Sequence, residues 1–332
     1  MPREYLSSRG EPESKERKHL IEIALRIEDT KEEVKDKELD EGLSKINFEE
    51  LRSIFTELCL SCGIKPDDIN FLGRDAIFIK NKVEVNGRDC AGSYFPIANS
   101  IGISSTTMKE LWYGERLPIA LLHALIHEEV HAVSDQKSVG FFEALQLKGQ
   151  GLSESVNHKY ISRDGYSIHS TETKGLFKKQ QDETDQFRFF NEGAVEHLAR
   201  SITQKYFERD KDFAPVKKMR AYFKSLTSER GVSAYGLPLL LCEELVKKIS
   251  SYAGVAPEIV WQGLYRGLIE GLDLTDKRIR KIFYDCLPQN FWDRLESAQT
   301  VEDWSAILAD LRKGKFVEPN NIKQKVLDWL RE

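Results

Sequence analysis

The sequence predicts an α+β protein with a small, mainly antiparallel sheet, one long apolar helix and a mostly helical C-terminal lobe. Short β-type runs between positions 76 and 105 are separated by Gly, Pro and Asn-Gly, which are turn signals. The stretch 119–133 is strongly apolar and has no internal Gly or Pro, which favours a buried helix. Helical periodicity recurs from about position 203 to the end. With 332 residues and 40% hydrophobic residues, the chain can bury a substantial core.

Three parts are expected along the chain. Residues 1–45 are dominated by Lys, Glu, Asp and Arg, and this composition predicts a charged, flexible, solvated arm, with one apolar run at 20–27 that could form a short helix. Residues 46–200 are expected to form the α+β lobe, and residues 201–332 the helical lobe.

Individual elements follow from local patterns. Apolar residues at helical spacing predict a helix over 48–62, which Gly63 and Pro66 end. The β-type runs are 76–80, 82–85 and 101–105. Pro118 opens the apolar helix, and an elaborated polar loop over 134–186, with one strand near 166–169, separates it from a helix over 187–200. The later helices are predicted at 238–252, 257–269, 276–286, 301–312 and 322–330.

Composition excludes some classes of function. The net charge of -5 is small against 49 basic and 54 acidic residues, so we expect no nucleic-acid partner and no membrane partner. The first residues contain no apolar signal region, and five scattered cysteines do not form a disulfide framework. We therefore expect a cytoplasmic protein.

The central motif is His127-Glu128-Glu129-Val130-His131, within the apolar helix. Two histidines one helical turn apart project from the same face and can present both imidazoles to one ion, with Glu128 beside it. Burial of such polar groups without a compensating ion is costly. The alternative is a pair of surface histidines that flank exposed glutamates.

A catalytic zinc takes three protein ligands, so a third ligand is needed downstream. In the metzincin pattern a histidine would stand six residues after His131, with a glycine midway, but the sequence has Lys137 and Ser134 there. A later helical segment, Phe190-Asn191-Glu192-Gly193-Ala194-Val195-Glu196, carries two carboxylates at i and i+4 on one face.

The two linked motifs, His-Glu-x-x-His and Asn-Glu-Gly-x-x-Glu, resemble the gluzincins, the group that includes thermolysin-like peptidases and the aminopeptidase N superfamily. The resemblance covers roughly residues 75–255 and implies a zincin-like fold with one Zn²⁺ per chain. It implies that His127, His131 and Glu192 bind the metal and that Glu128 is the general base. It also implies that Glu196 hydrogen-bonds a zinc histidine and fixes its tautomer.

The resemblance extends to two further features. Tyr235, before an apolar helix, is similar to a tyrosine that stabilises the oxyanion, although Gly236 is displaced from the Tyr-x-x-Gly pattern and the alternative is a packing tyrosine. Tyr222 and Tyr206 are weaker candidates for this role. The segment Ile101–Ser104 resembles the edge strand that pairs with an extended substrate in these enzymes. The spacing from His131 to Glu192 is longer than in the best-known gluzincins, and the loop over 134–186 is expected to absorb it.

The function expected from this resemblance is zinc-dependent peptide-bond hydrolysis, with a peptide or protein as substrate. One alternative is a regulatory protease that cleaves a single repressor-like partner, as proteins resembling the ImmA/IrrE group do. Another is a catalytically silent protein that keeps the fold and binds a partner in the groove, although such a protein does not need the base Glu128.

Other residues carry weaker signals. His123, one turn before His127, is expected to be a core histidine or to support the site, and no role is assigned to His158, His169 or His197. Cys59 and Cys62 have the spacing of zinc ligands, but the sequence has no second Cys-x-x-Cys or Cys/His pair that would complete a structural zinc site. They are therefore expected to be small buried residues.

Overall fold

The computed structural model describes most of the chain from residue 33 to residue 313. The described residues are 33–65, 69–85, 88–95, 99–112, 114–134, 136–144, 156–165, 167–174, 181–211, 213, 216–227, 236–270, 289–298 and 300–313. Within them the protein is α+β and mostly helical, with small sheets.

The described helices, in chain order, are α1 (Lys37–Ser44), α2 (Phe48–Ser61), α3 (Ser105–Leu111), α4 (Leu117–Val133), α5 (Arg188–Arg209), α6 (Val216–Thr227), α7 (Gly236–Ala253), α8 (Pro257–Glu270), α9 (Gln289–Ser297) and α10 (Val301–Arg312). The described strands are β1 (Ile77–Lys80), β2 (Val83–Val85), β3 (Arg88–Cys90), β4 (Gly92–Phe95), β5 (Ser100–Ser104), β6 (Gln136–Ala144), β7 (Val156–Asp164), β8 (Ser167–Lys174) and β9 (Gln181–Gln186).

The three-stranded sheet has the order β1-β5-β4. Strand β1 runs parallel to β5, whereas β4 runs antiparallel to it, so this sheet is mixed where a mainly antiparallel one was expected. The prediction of Ile101–Ser104 as an edge strand is wrong, because β5 is paired on both sides and β4 lies at the edge. Isoleucines of β1 and β5 are buried against the core, which also contains α4.

Helix α4 is the predicted apolar helix, and it lies in the centre of the molecule. Only Pro118 and Ala124 of its 17 residues are less than fully buried. It packs against α1, α5, β4 and β5. A helix made mostly of apolar residues is expected in such a position, since every face meets another element.

Residues 136–186 differ most from the sequence prediction, because they contain a four-stranded antiparallel sheet instead of an elaborated loop. Its order is β6-β7-β8-β9, and β8 includes the strand expected near 166–169. The turn between β7 and β8 has Gly165 at φ 53°, where a Cβ would lie 2.4 Å from Leu268 and 2.7 Å from Asn191. A glycine is therefore required where this hairpin contacts α5 and α8.

The start of the described chain also differs from the predicted arm. Helix α1 falls inside residues 1–45, yet Leu39 and Leu43 are fully buried. Asp36 caps this helix by accepting from the backbone N–H groups of Glu38 and Leu39. The arm prediction missed α1 because two apolar residues in a charged segment are enough to fix a short helix on the core.

The predicted helices over 48–62, 187–200, 238–252, 257–269 and 301–312 are confirmed as α2, α5, α7, α8 and α10. The predicted helices over 276–286 and 322–330 lie outside the described residues. Helix α5 continues to Arg209, through position 200, where the sequence analysis placed the lobe boundary.

Candidate metal centre

Helices α4 and α5 build the centre by facing each other with complementary side chains. Helix α4 carries His123, His127 and His131 at successive turns, and α5 carries Glu192 and Glu196 one turn apart. Residues four apart lie on the same helix face, so the histidines form one row and the glutamates another.

Helix α5 also makes a close contact with α7, and this contact depends on Gly193. A Cβ at this position would lie 2.5 Å from the carbonyl oxygen of Pro238 and 2.6 Å from Sγ of Cys242, both on α7. The backbones of α5 and α7 can approach this closely only because Gly193 has no side chain. The glycine of the Asn-Glu-Gly-x-x-Glu motif therefore sets the position of the helix that carries both glutamates.

His127, His131 and Glu192 come together as one group. One ligand atom from each residue lies within 4.8 Å of the other two. Oε2 of Glu192 is 3.4 Å from Nε2 of His127 and 3.8 Å from Nε2 of His131. Ligands about 2.0–2.1 Å from a tetrahedral zinc ion are roughly 3.3 Å apart, so these separations suit a zinc-sized ion between the three residues.

Glu196 lies one helical turn behind this group and is almost fully buried, with 1% exposure. Its Oε2 is 3.2 Å from Nδ1 of His127, on the side of the ring away from Glu192. Its Oε1 is 3.3 Å from Nε2 of His123 and 2.7 Å from Nε of Arg200. A carboxylate in contact with Nδ1 leaves Nε2 of His127 to face Glu192.

The charges of the two rows are coupled. Burial acts to lower the pKa of His127, but hydrogen bonds to Glu192 and Glu196 outweigh it and raise the pKa to about 9. Burial acts to raise the pKa of Glu192 and of Glu196, but their histidine partners hold both pKa values below the usual range. The centre therefore favours ionised carboxylates that face positive charge.

Glu128 is buried beside the three clustered residues, and its carboxylate is held by strand β4. The backbone N–H of Tyr94 donates to Oε2 of Glu128 over 2.8 Å. Burial raises the pKa of Glu128 despite this hydrogen bond. Strand β4 comes close enough that a Cβ on Gly92 would lie 3.1 Å from Cγ of Glu128.

Glu129, the next residue of the motif, was not singled out from the sequence. It is buried, with 1% exposure, and its Oε1 accepts from the backbone N–H of Leu72. Burial holds the pKa of this carboxyl well above its usual value. The signal in the sequence was its position inside a strongly apolar helical run, where a side chain is expected to meet another element of the fold.

The structure describes two of the three candidate tyrosines. Tyr235 lies outside the described residues. Tyr222 is buried behind the site, where its ring contacts the edge of His123. Tyr206 bridges two other parts of the fold, since its hydroxyl accepts from the backbone N–H of Asn47 and donates to Asp210.

The structure describes several of the remaining histidines and cysteines. His197 stacks on Trp261 with ring centroids 3.6 Å apart and hydrogen-bonds the hydroxyl of Tyr265. His158 and His169 belong to strands β7 and β8. Cys59 and Cys62 are buried free thiols, as expected.

Comparisons with known proteins return no match: no family model, curated protein or solved structure matches the chain. The resemblance to gluzincins therefore stays a prediction that depends on the motif residues. Among the described residues, no helix has both the length and the apolar character needed to cross a bilayer.

Proposed function

We propose that this protein is a zinc-dependent metallopeptidase whose metal is held by His127, His131 and Glu192. The observation that carries the proposal is the convergence of these three ligand atoms to within 4.8 Å, from residues up to 65 positions apart. Two imidazoles and one carboxylate form a ligand set typical of catalytic zinc, which keeps a fourth position for water.

The surroundings of the three residues support a metal over a chance cluster. His131 and His127 are buried, whereas the Glu192 side chain is 23% exposed, so the group can be reached from solvent at one side. The second nitrogen of His127 contacts Glu196, as is common for zinc histidines. Structural ion pairs can also gather two histidines and a glutamate, and measurement of metal content separates the two cases.

The chain's own residues supply the acid–base chemistry. Zinc, when bound, lowers the pKa of a coordinated water to about 7 and polarises the carbonyl under attack. Glu128 has its Oε2 held by Tyr94, and its other oxygen, Oε1, accepts the proton of the attacking water. The same carboxyl then donates this proton to the leaving amine, and a raised pKa suits a group that must do both.

The strand proposed to pair with an extended substrate is β4, in place of the Ile101–Ser104 segment. Strand β4 is at the edge of the order β1-β5-β4, and its Tyr94 contacts the proposed base. An edge strand offers backbone groups for a peptide in extended conformation. A substrate aligned in this way would lie along the strand whose Tyr94 holds Glu128.

The test is cleavage of a peptide library by wild type, Glu128→Gln and Glu129→Gln. The two variants alter adjacent buried glutamates of one helix, so Glu129→Gln is a matched control. We expect Glu128→Gln to bind zinc normally and to lose about 100- to 10,000-fold in kcat, because the proton acceptor is gone. Glu129→Gln is expected to keep wild-type kcat.

The outcomes separate the proposal from the alternatives. Equal activity of Glu128→Gln and wild type would contradict the proposed base. Zinc binding with cleavage of a single folded protein and of no library peptide would indicate the regulatory protease. Zinc binding without hydrolysis of any substrate would indicate the silent binding protein.

A further inference from the structure

Arg200 is a charged residue near the proposed metal centre whose position the metal site itself does not require. It lies on α5, one turn after Glu196, and its Nε donates to Oε1 of Glu196 over 2.7 Å. A carboxylate four residues before an arginine is the favourable order for a helical ion pair. The pair is mostly shielded from solvent, since the side chains of Glu196 and Arg200 are 1% and 18% exposed.

The guanidinium is held in place by the ring of Phe223 on α6. The carbon Cζ of Arg200 lies 5.3 Å from the centroid of this ring, within the distance of a cation–π interaction. Nη2 of Arg200 is buried and finds no hydrogen-bond partner in the described part of the chain. Burial of a guanidinium with one nitrogen unsatisfied is costly, and the contact with Glu196 is the described interaction that offsets this cost.

Both oxygens of Glu196 are engaged. Oε1 contacts Arg200, Oε2 contacts Nδ1 of His127, and Nε2 of His123 is 3.3 Å from each oxygen. Because a carboxylate is planar, an arginine that fixes Oε1 also fixes the direction of Oε2. The chain of contacts therefore runs from Arg200 through Glu196 to His127, and from Nε2 of His127 to Glu192 at 3.4 Å.

We propose that Arg200 is a positioning residue, which orients the Glu196 carboxylate so that His127 is held with Nε2 directed at the metal site. The effect on metal binding rests on the proposed function, whereas the effect on the His127 ring does not. Arg200 does not touch the clustered ligand atoms in the described contacts, so it acts through Glu196. Lysine is a poor substitute, because its ammonium lacks the planar guanidinium that stacks on Phe223.

The experiment compares Arg200→Met and Arg200→Lys with Arg209→Met as the matched control. Arg209 is on the same helix and pairs with Glu50 and Glu57, far along α5 from Glu196. The first readout is the downfield NMR signal of the Nδ1 proton of His127 in metal-free protein, assigned by its loss in His127→Ala and its retention in His123→Ala. The second is zinc affinity by competition with a chelator, and melting temperature reports the loss of stability common to all variants.

We expect Arg200→Met to lose the His127 signal and to weaken zinc binding about tenfold, the lower end of what loss of an outer-sphere partner costs. Arg200→Lys is expected to recover part of the His127 signal and part of the zinc affinity. Arg209→Met is expected to keep the signal and the affinity despite a lower melting temperature. Retention of the signal and of wild-type zinc affinity in Arg200→Met would overturn the inference and leave the proposed function standing. If Arg200→Met does not fold, Arg200→Gln takes its place with the same expected and contrary results.

Failure of the proposed function gives a different pattern. If the wild type binds no zinc, the metallopeptidase proposal is wrong, and the His127 signal alone decides whether Arg200 positions Glu196. Loss of the signal in Arg200→Met would still support the positioning role, and its retention would contradict it.

Discussion

Two successive turns of the α4–α5 contact each pair a glutamate with two histidines, but the two glutamates differ in exposure and in their other partners. In the front turn, Glu192 faces His127 and His131, and its side chain is partly exposed. In the rear turn, Glu196 faces His123 and His127, is buried, and also pairs with Arg200. The front carboxylate thus has no arginine partner among its described ion pairs, whereas the rear carboxylate has a guanidinium.

This difference shows what a spacing pattern leaves undecided. Histidines and glutamates at four-residue intervals predict that the two rows meet, but not which pair of turns could hold an ion. A guanidinium in the rear turn supplies positive charge and repels a metal ion there. On the proposed function, a divalent cation supplies that charge in the front turn.

The comparison is tested most strongly by truncation of the two glutamates. Glu192→Ala is expected to abolish stoichiometric zinc binding, because it removes one of three protein ligands. Glu196→Ala is expected to weaken zinc binding about 10- to 100-fold, since it leaves the ligands and removes a partner of one of them. Chelator competition measures both, and equal losses in the two variants would erase the distinction between the turns.

Gly193, between the two glutamates, offers a test by displacement. Gly193→Ala places a methyl group against Pro238 and Cys242, so α5 must move from α7. We expect a loss of about 1–3 kcal/mol in the free energy of unfolding. Urea denaturation measures it, and the stability difference between Gln204→Gly and Gln204→Ala, at an exposed position of the same helix, gives the effect of helix propensity alone. A stability of Gly193→Ala equal to or above that of wild type would show that α5 and α7 are not in tight contact.

His197 sharpens the comparison, because its described partners on neighbouring elements are Trp261 and Tyr265, whereas His127 contacts carboxylates. Burial against Trp261, together with the charge of Arg200, lowers the pKa of His197 to about 4. As the pH falls, this histidine therefore takes up a proton in the unfolded chain before it does so in the folded protein. The free energy of unfolding decreases as the pH falls from about 6.5 towards 4. We expect the free energy of unfolding to decrease by about 1–2 kcal/mol between pH 7 and pH 5 for this reason.

The check is the pH dependence of the unfolding free energy in wild type and His197→Phe. The phenyl ring keeps the stacking on Trp261 but does not titrate. A smaller loss between pH 7 and pH 5 in the variant is the expected result. Parallel pH profiles of the two proteins would contradict the assignment to His197.

Glu129 gives the smallest expected effect. The carboxyl of Glu129 has a raised pKa and accepts from the backbone N–H of Leu72. The amide of Glu129→Gln can replace it, and we expect the free energy of unfolding to change by about 0.5 kcal/mol or less. Glu129→Leu leaves the Leu72 N–H buried without this acceptor and is expected to cost about 1–3 kcal/mol. Thermal denaturation of the two variants is the measurement, and equal stabilities would show that the hydrogen bond is unimportant.

Local patterns predicted the elements that carry the site and missed those that depend on tertiary pairing. The apolar run of α4 and the periodicity of α5 are visible in the sequence, because each helix buries a continuous set of side chains. Strand β9, Gln181–Gln186, has only polar residues, so no apolar alternation marked it, and its pairing with β8 identifies it. Likewise, the parallel pairing of β1 with β5 makes β5 central, and no local pattern encodes a crossover between distant strands.

The site shows the same division. The spacing of His127, His131, Glu192 and Glu196 could be interpreted from the sequence together with the family resemblance. The roles of Arg200 and Glu129 could not be predicted from the sequence, because they depend on the residues that these side chains contact in the folded chain. An arginine on a helix and a glutamate beside a histidine are ordinary surface residues until packing places them in the interior.

The most direct test of the central claim is the zinc content of purified wild type and Glu192→Ala, measured by mass spectrometry after removal of loosely bound metal. The account predicts one zinc ion per wild-type chain and none in Glu192→Ala. Absence of zinc from the wild type after incubation with the metal, or one zinc per chain in Glu192→Ala, would contradict it.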